Sequence, residues 1–302
     1  MPANTHPTEN LRLELARKIT RFMGARQKVA TQAPGLTLVR RPVPAGPACG
    51  SYEPSLALIA QGAKRVTLGK RSFIYDESNY LLTSIDLPIV SQLIDASEER
   101  PFLAVVIKLE IPIVRDLLSR ADIDVADEPA DSPGMVTGQI TAELLGAAIR
   151  LVDLLDDPDD IPVLNPLIQR EIIYRVLRGP EGARLRGIAT IGDHSNRTAK
   201  AVTWIRENYA QPLRVEDLAR LAGMGVSTFH RYFRDLTEMS PLQYQKQLRL
   251  QAARDHMLLD GLDAAGAAFE VGYESASQFS REYSRLFGAP PAQDVQAARL
   301  AP

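Results

Sequence analysis

Phe229-His230-Arg231-Tyr232-Phe233 returns fifty residues later as Phe279-Ser280-Arg281-Glu282-Tyr283. In the same offset Ala222 aligns with Gly272 and Pro241 with Pro291. Each copy reads as a short helix, a tight turn and a second helix, and one long helix joins the copies. In the first copy Phe229, Phe233 and Leu236 fall on one helical face. That phase turns Ser227, His230, Arg231 and Arg234 outward. In the second copy Phe279, Tyr283 and Leu286 face inward, and Ser277, Gln278, Ser280, Arg281 and Arg285 face outward. A helix that reads base edges in a major groove needs such a surface: Arg is bidentate to guanine, Gln to adenine, and Ser serves several edges or phosphates. A single helix with this face is more often an ordinary solvated surface. Two copies in matched phase, each with its own turn, favour a device that reads two consecutive major-groove segments.

The punctuation around the repeats is strong. Ser240-Pro241-Leu242-Gln243 supplies an N-cap, a proline at the first helical position and a glutamine to close a capping box. The helix it opens is expected to run to about Asp260, with Gly261 beyond its end. Asp263 caps the next helix and Gly272 ends it. Ser275-Ala276-Ser277-Gln278 opens the second reading helix, Gly288 stops it, and Pro290-Pro291 starts the last. Two local weaknesses stand out. Gly225 occupies the cap of the first reading helix, and Gly266 lies inside a short helix.

Residues 199–302 carry twelve basic and twelve acidic side chains, and the whole chain of 302 residues has a net charge of −2. Bulk attraction to nucleic acid is therefore absent, and any affinity must come from local placement of arginines. The single Cys49 excludes an intramolecular disulfide framework and fits a reducing cytoplasm. No apolar run approaches the ~18 residues that span a bilayer, and no signal-peptide core is present. The chain is thus expected to be cytoplasmic, with no membrane association.

Upstream, residues 9–30 read as an amphipathic helix. Ser55–Gln61, Lys64–Leu68, Arg71–Tyr75, Tyr80–Thr83, Ile89–Ile94 and Phe102–Leu109 read as strands, with Gly69-Lys70 as a two-residue hairpin turn. Thr37–Arg40 reads as a further short strand. Many short strands at regular spacing predict a sandwich or barrel. Pro112–Ser119 reads as a short helix and 120–134 as an acidic loop. Two helices follow, at 141–155 and 163–177, the first with Leu144, Leu145, Ala148, Leu151, Val152 and Leu155 on one stripe. Gly182–Asn196, polar and Gly-bearing, reads as a linker.

Residues 199–300 resemble the DNA-binding domain of AraC/XylS-family transcription regulators. The resemblance rests on Gly272 through Tyr283, on Phe287-Gly288-Ala289-Pro290-Pro291, and on Ser240-Pro241 with Arg249-Leu250 and Ala252-Ala253-Arg254. It implies base or phosphate contacts at Ser227, His230, Arg231, Ser277, Gln278, Ser280 and Arg281. Tyr52-Glu53-Pro54-Ser55-Leu56, Gln61 through Val66 and Asp86-Leu87-Pro88 resemble the cupin-like sensory domain of one subgroup. The expected fold class is α+β: an N-terminal cupin-like β-barrel with dimerisation helices, and a C-terminal all-α domain with two helix-turn-helix motifs. The expected domains are 1–180 for sensing and dimerisation, 181–196 as linker, and 197–302 for DNA binding.

The resemblance further implies a homodimer, contact with RNA polymerase and a small-molecule effector. Leu58, Phe73, Tyr75 and Tyr80 are the candidate effector-binding residues, though each is more often simple core. None of His6, His194, His230 and His256 falls between 35 and 180, so no metal centre of histidines is expected in the barrel. No cofactor is called for, and neither is an enzyme activity. Cys49 is a candidate sensor of oxidants or electrophiles, weighed against the commoner role of an inert small apolar residue. The rival reading is a regulator-like interaction protein that binds another protein and not DNA.

Overall fold

The structure is a computed structural model that describes residues 7–43, 46–120 and 133–300. The acidic loop expected at 120–134 lies largely outside the described residues. Its elements, in chain order, begin with α1 (Pro7–Met23), β1 (Lys28–Ala30), β2 (Leu36–Arg41), β3 (Ala48–Tyr52), β4 (Ser55–Gln61), β5 (Ala63–Leu68), β6 (Arg71–Tyr75), β7 (Asn79–Thr83), β8 (Leu87–Asp95) and β9 (Phe102–Lys108). There follow α2 (Ile111–Arg120), β10 (Met135–Gln139), α3 (Ala142–Asp153), α4 (Ile161–Arg178), α5 (Gly182–Ala189) and α6 (His194–Glu207). The last segment holds α7 (Val215–Leu221), α8 (Val226–Thr237), α9 (Pro241–Leu259), α10 (Ala264–Glu270), α11 (Ala276–Phe287) and α12 (Pro291–Leu300).

The strands do not close into the expected barrel. They form a six-stranded sheet, β1-β2-β9-β4-β7-β10, and a four-stranded sheet, β3-β8-β5-β6. Every pairing within them is antiparallel. Alternation along each strand sends successive side chains to opposite faces. On the large sheet Leu38, Leu56, Leu58, Leu82 and Val105 face a layer of α1, α3 and α4. Ala57, Ile59, Leu81, Phe102 and Ala104 face the small sheet, from which Val66, Leu68, Tyr75, Leu87 and Ile89 return.

A further group joins this cluster from the helical half. Phe229, Phe233, Leu236 and Tyr244 belong to the same buried cluster as these strand residues. The apolar core of the first helix-turn-helix pair is therefore continuous with that of the sandwich. The contacts are specific. Gly134 N donates to Leu236 O at 2.7 Å, Tyr244 Oη donates to Asp86 O at 2.7 Å, and Arg206 Nη1 donates to Asp86 Oδ1 at 2.9 Å. Gly69, at φ +57° in the β5–β6 turn, lies so close that a Cβ would sit 2.5 Å from Glu238 O. Burial pushes the Asp86 carboxyl above its usual range, with Arg206 opposing.

Two helical expectations shift. The stripe on α3 is buried within its own chain, so it does not face outward for a partner. The segment expected as a linker is α5, whose Ala183, Leu185 and Ile188 are buried against α2, α4 and α6. Arg115 on α2 donates to Ala189 O at 3.0 Å and closes the end of that helix. Tertiary packing outweighs the glycine content there.

Candidate nucleic-acid interface

Each reading helix is the second of a helix-turn-helix pair. α7 and α8 pack at the turn Ala222-Gly223-Met224, where Gly223 takes φ +61° and Met224 N donates to Ala219 O at 2.9 Å. α10 and α11 repeat the arrangement with Gly272 at φ +87° and Tyr273 N donating to Ala268 O at 2.9 Å. The apolar faces pack as their spacing predicts. Phe229 and Phe233 are fully buried with ring centroids 5.5 Å apart, and Phe279 and Tyr283 repeat the pair at 5.4 Å. Tyr283 also donates its hydroxyl to Asp294 Oδ2 at 2.7 Å, tying α11 to α12.

The opposite faces are open. Ser227, Arg231 and Arg234 on α8 are exposed and His230 is half-buried. Ser277, Gln278 and Arg281 on α11 are exposed, as is Arg285, and Ser280 is half-buried. All eight candidate DNA-contact residues thus lie on the two reading helices, four on each. Arg231, Arg234, Arg281 and Arg285 make no ion pair among the described residues. Their guanidinium forks are free for base or phosphate acceptors. Arg231 lies over the Tyr232 ring at 4.8 Å, and Tyr232 is stacked on His194 at 4.3 Å. Gln278 is turned along its own helix, with Nε2 donating to Glu282 Oε1 at 3.4 Å. Tyr273 donates to Glu282 Oε2 at 2.8 Å. These side chains and Lys246 line a polar groove of about 240 Å³ between α9 and the second pair.

The candidate effector residues are not brought together. Phe73 and Tyr75 face the space between the sheets, and the Tyr75 hydroxyl bonds to Tyr52, which accepts from Lys64 Nζ at 2.6 Å. Leu58 and Tyr80 face the helix layer on the other side of the large sheet, where Tyr80 donates to Glu181 Oε2 at 2.7 Å. Cys49, on β3, points at the end of α11, with Sγ 3.9 Å from Leu286 O. Burial pushes its thiol pKa up, which lowers the thiolate fraction and its reactivity.

The sequence reading missed Gln245 on α9, and named Arg249 only within the family resemblance, without the joining contacts both make between the two pairs. Their partners are backbone carbonyls, so no side-chain pattern announces them.

The architecture is thus two helix-turn-helix pairs on one connecting helix, set beside a β-sandwich. The family model for the AraC-type transcriptional regulator N-terminus matches residues 32–184, just over half of the chain, and a helix-turn-helix domain model matches 218–297. The chain belongs to the AraC-type transcriptional regulators, a family of regulators and not of enzymes. It is similar to ExsA of Pseudomonas aeruginosa, with 27% identity over 177 residues, 58% of this chain and 62% of ExsA. It is similar also to the virulence regulon transcriptional activator VirF of Yersinia enterocolitica, with 28% identity over 144 residues, 47% of this chain and 52% of VirF. The chain thus spans between half and two thirds of the length of these curated relatives. Among solved structures, unsaturated-fatty-acid-bound ToxT from Vibrio cholerae matches with a TM-score of 0.53 and 11% identity, covering 86% of this chain and 93% of ToxT. At that identity the likeness is one of fold. Among the described residues no helix is long and apolar enough to cross a membrane.

Proposed function

We propose that this chain is an effector-responsive transcription activator that reads two successive major-groove segments of duplex DNA with α8 and α11. The observation that carries the reading is the matched phase of the two helices: each buries an aromatic pair and exposes a row of Arg, Ser and Gln or His. In this reading Ser227, His230, Arg231 and Arg234 contact one segment, and Ser277, Gln278, Ser280 and Arg281 the next. The two helices then engage grooves about 34 Å apart, one turn of duplex. With the two signs of charge balanced, affinity depends on these local contacts and falls steeply with salt. Contact with RNA polymerase completes activation, and the name of VirF as an activator supports that sign.

An effector entering between the sheets would meet Phe73 and Tyr75 and would press on the same cluster that seats Phe229 and Tyr244. Its binding would shift the population of DNA-competent placements of the first pair. A homodimer would form through α4, where Val163 is 65% and Leu167 58% exposed on one face, with Tyr174 further along it. Leu167→Glu then yields a monomer in sedimentation, while the wild type sediments as a dimer.

The experiment is to incubate the purified chain with sheared DNA from its source and sequence what is retained. A sharp motif with subsites phased by the helical repeat supports the reading. No enrichment, with or without cell extract as a source of effector, overturns it.

A further inference from the structure

The two helix-turn-helix pairs do not share an apolar core. The first belongs to the cluster that runs into the sandwich, and the second forms a cluster of its own. Among the described residues only Tyr209 packs against both. Besides the continuous helix α9, which gives Tyr244 and Leu248 to one cluster and Leu250, Ala253 and Met257 to the other, what joins the pairs is polar and centres on one side chain. Arg249 donates through Nε to Tyr209 O at 2.6 Å, and through Nη2 to Ala210 O at 3.2 Å and Gln211 O at 3.0 Å. Its Nη1 donates to Gly272 O at 2.9 Å. Residues 209–211 form the turn that leads from α6 into the first pair, and Gly272 is the turn of the second. Gln245, one helical turn earlier, reinforces the first contact by donating to Tyr209 O at 2.9 Å and Gln211 O at 2.7 Å. The approach is close: at Gly272 a Cβ would sit 2.0 Å from Ala210 O. A planar fork of five N–H donors suits carbonyls on two sides, and a lysine ammonium does not reproduce that geometry.

We propose that Arg249 is the positioning residue that fixes the spacing and rotation between the two reading helices, and so makes the protein selective for the number of base pairs between its two subsites. The inference rests on the DNA reading proposed above. One inserted base pair displaces the second subsite by about 3.4 Å and rotates it by about 34°. Hydrogen bonds weaken steeply with such displacement and misalignment. A pair of readers clamped through Arg249 cannot follow the insertion without breaking the joint.

The test uses the full chain and the DNA that the wild type enriches, remade with one base pair added or removed between the subsites. The wild type should lose about tenfold or more in affinity on the added base pair. Arg249→Gln and Arg249→Lys should bind the original spacing about tenfold more weakly, yet lose less than about threefold on the insertion. Gly272→Ala, which opens the same joint by a different route, should flatten the spacing profile likewise. A second measurement needs no DNA. Spin labels on Arg220→Cys in α7 and Glu270→Cys in α10, both exposed and in a Cys49→Ser background, should report one narrow distance in the parent and a broad one with Arg249→Gln. Weaker binding with the wild-type ratio between spacings, or an unchanged narrow distance, overturns the proposal. If the wild type enriches no motif, the DNA reading fails, and the label distances alone decide the role of Arg249.

Discussion

The two helix-turn-helix pairs carry the same apolar repeat but differ in what supports it. In the second pair the support is local. Ser275 caps α11 by accepting from Gln278 N at 3.3 Å, and Gly288 closes it at φ +81°. Its core is self-contained. In the first pair Gly225 offers α8 no side-chain cap, and the left-handed position at its end is held by Glu238 at φ +58°. A non-glycine residue pays a steric penalty there, and the surroundings hold it in place. Glu238 abuts Gly69 and pairs with Arg71 at 3.3 Å, and Leu236 O is bonded by Gly134. Local signals are weak where tertiary support is strong. The first pair is built into the core of the sandwich, and the second is carried by α9.

Core truncations give the largest contrast. Phe229→Ala and Phe279→Ala should each cost about 3–5 kcal/mol. By hydrogen exchange, the first should loosen β5, β6 and β8 together with α6–α8, while the second should loosen only α10–α12. Equal loosening of the sandwich by both would erase the distinction. Next come the readers themselves. Arg281→Ala should cost about 1–3 kcal/mol of binding and relax one base position, scored by titration of single-substituted duplexes. Equal weakening on every duplex makes Arg281 a phosphate contact. Tyr244→Phe should cost about 1–2 kcal/mol by leaving the buried Asp86 carbonyl without its donor, and should lower the melting of the sandwich and the first pair together. The smallest effects lie at the caps: Ser275→Ala should cost about 1 kcal/mol, and Gly225→Ser should gain about 0.3 kcal/mol, both read from chemical denaturation.

The second half of the molecule was the more legible in sequence because its signals are short-range. Ser240 with Gln243 forms the full capping box, Asp263 caps α10 and Gly288 ends α11, each where the residue types require. β4 and β6 also have the expected limits. β1, β3 and β10 were not legible, since they are short edge strands whose pairing is settled by their partners. β3 contains Gly50 and is only partly covered, and it becomes a strand through its register with β8. Barrel closure depends on long-range strand pairing, and here the strands divide into two sheets whose inner cluster continues into residues 229–244, far along the chain. The effector residues failed to converge for a related reason: a strand pattern gives alternation but not which face meets which layer. Leu58 and Tyr80 took the helix side, Phe73 and Tyr75 the sheet side. Of the interface, the exposed rows on α8 and α11 followed from helical phase alone, whereas Arg249 was legible only as part of the family resemblance and its carbonyl partners were not.

The cluster shared by the sandwich and the first pair also bears on how the protein is made. A chain emerges from the ribosome N-terminus first, at about 5–20 residues per second. The strands of the sandwich are complete once Gln139 is out, yet the rest of the cluster they share with the first pair, and the bond from Tyr244 to Asp86 O, wait until Tyr244 has followed. For several seconds the nascent sandwich lacks that part of its apolar cluster. A fragment that ends near residue 190 lacks those residues permanently and should be a chaperone client, prone to aggregate, while α10–α12 add a second pair whose core is its own.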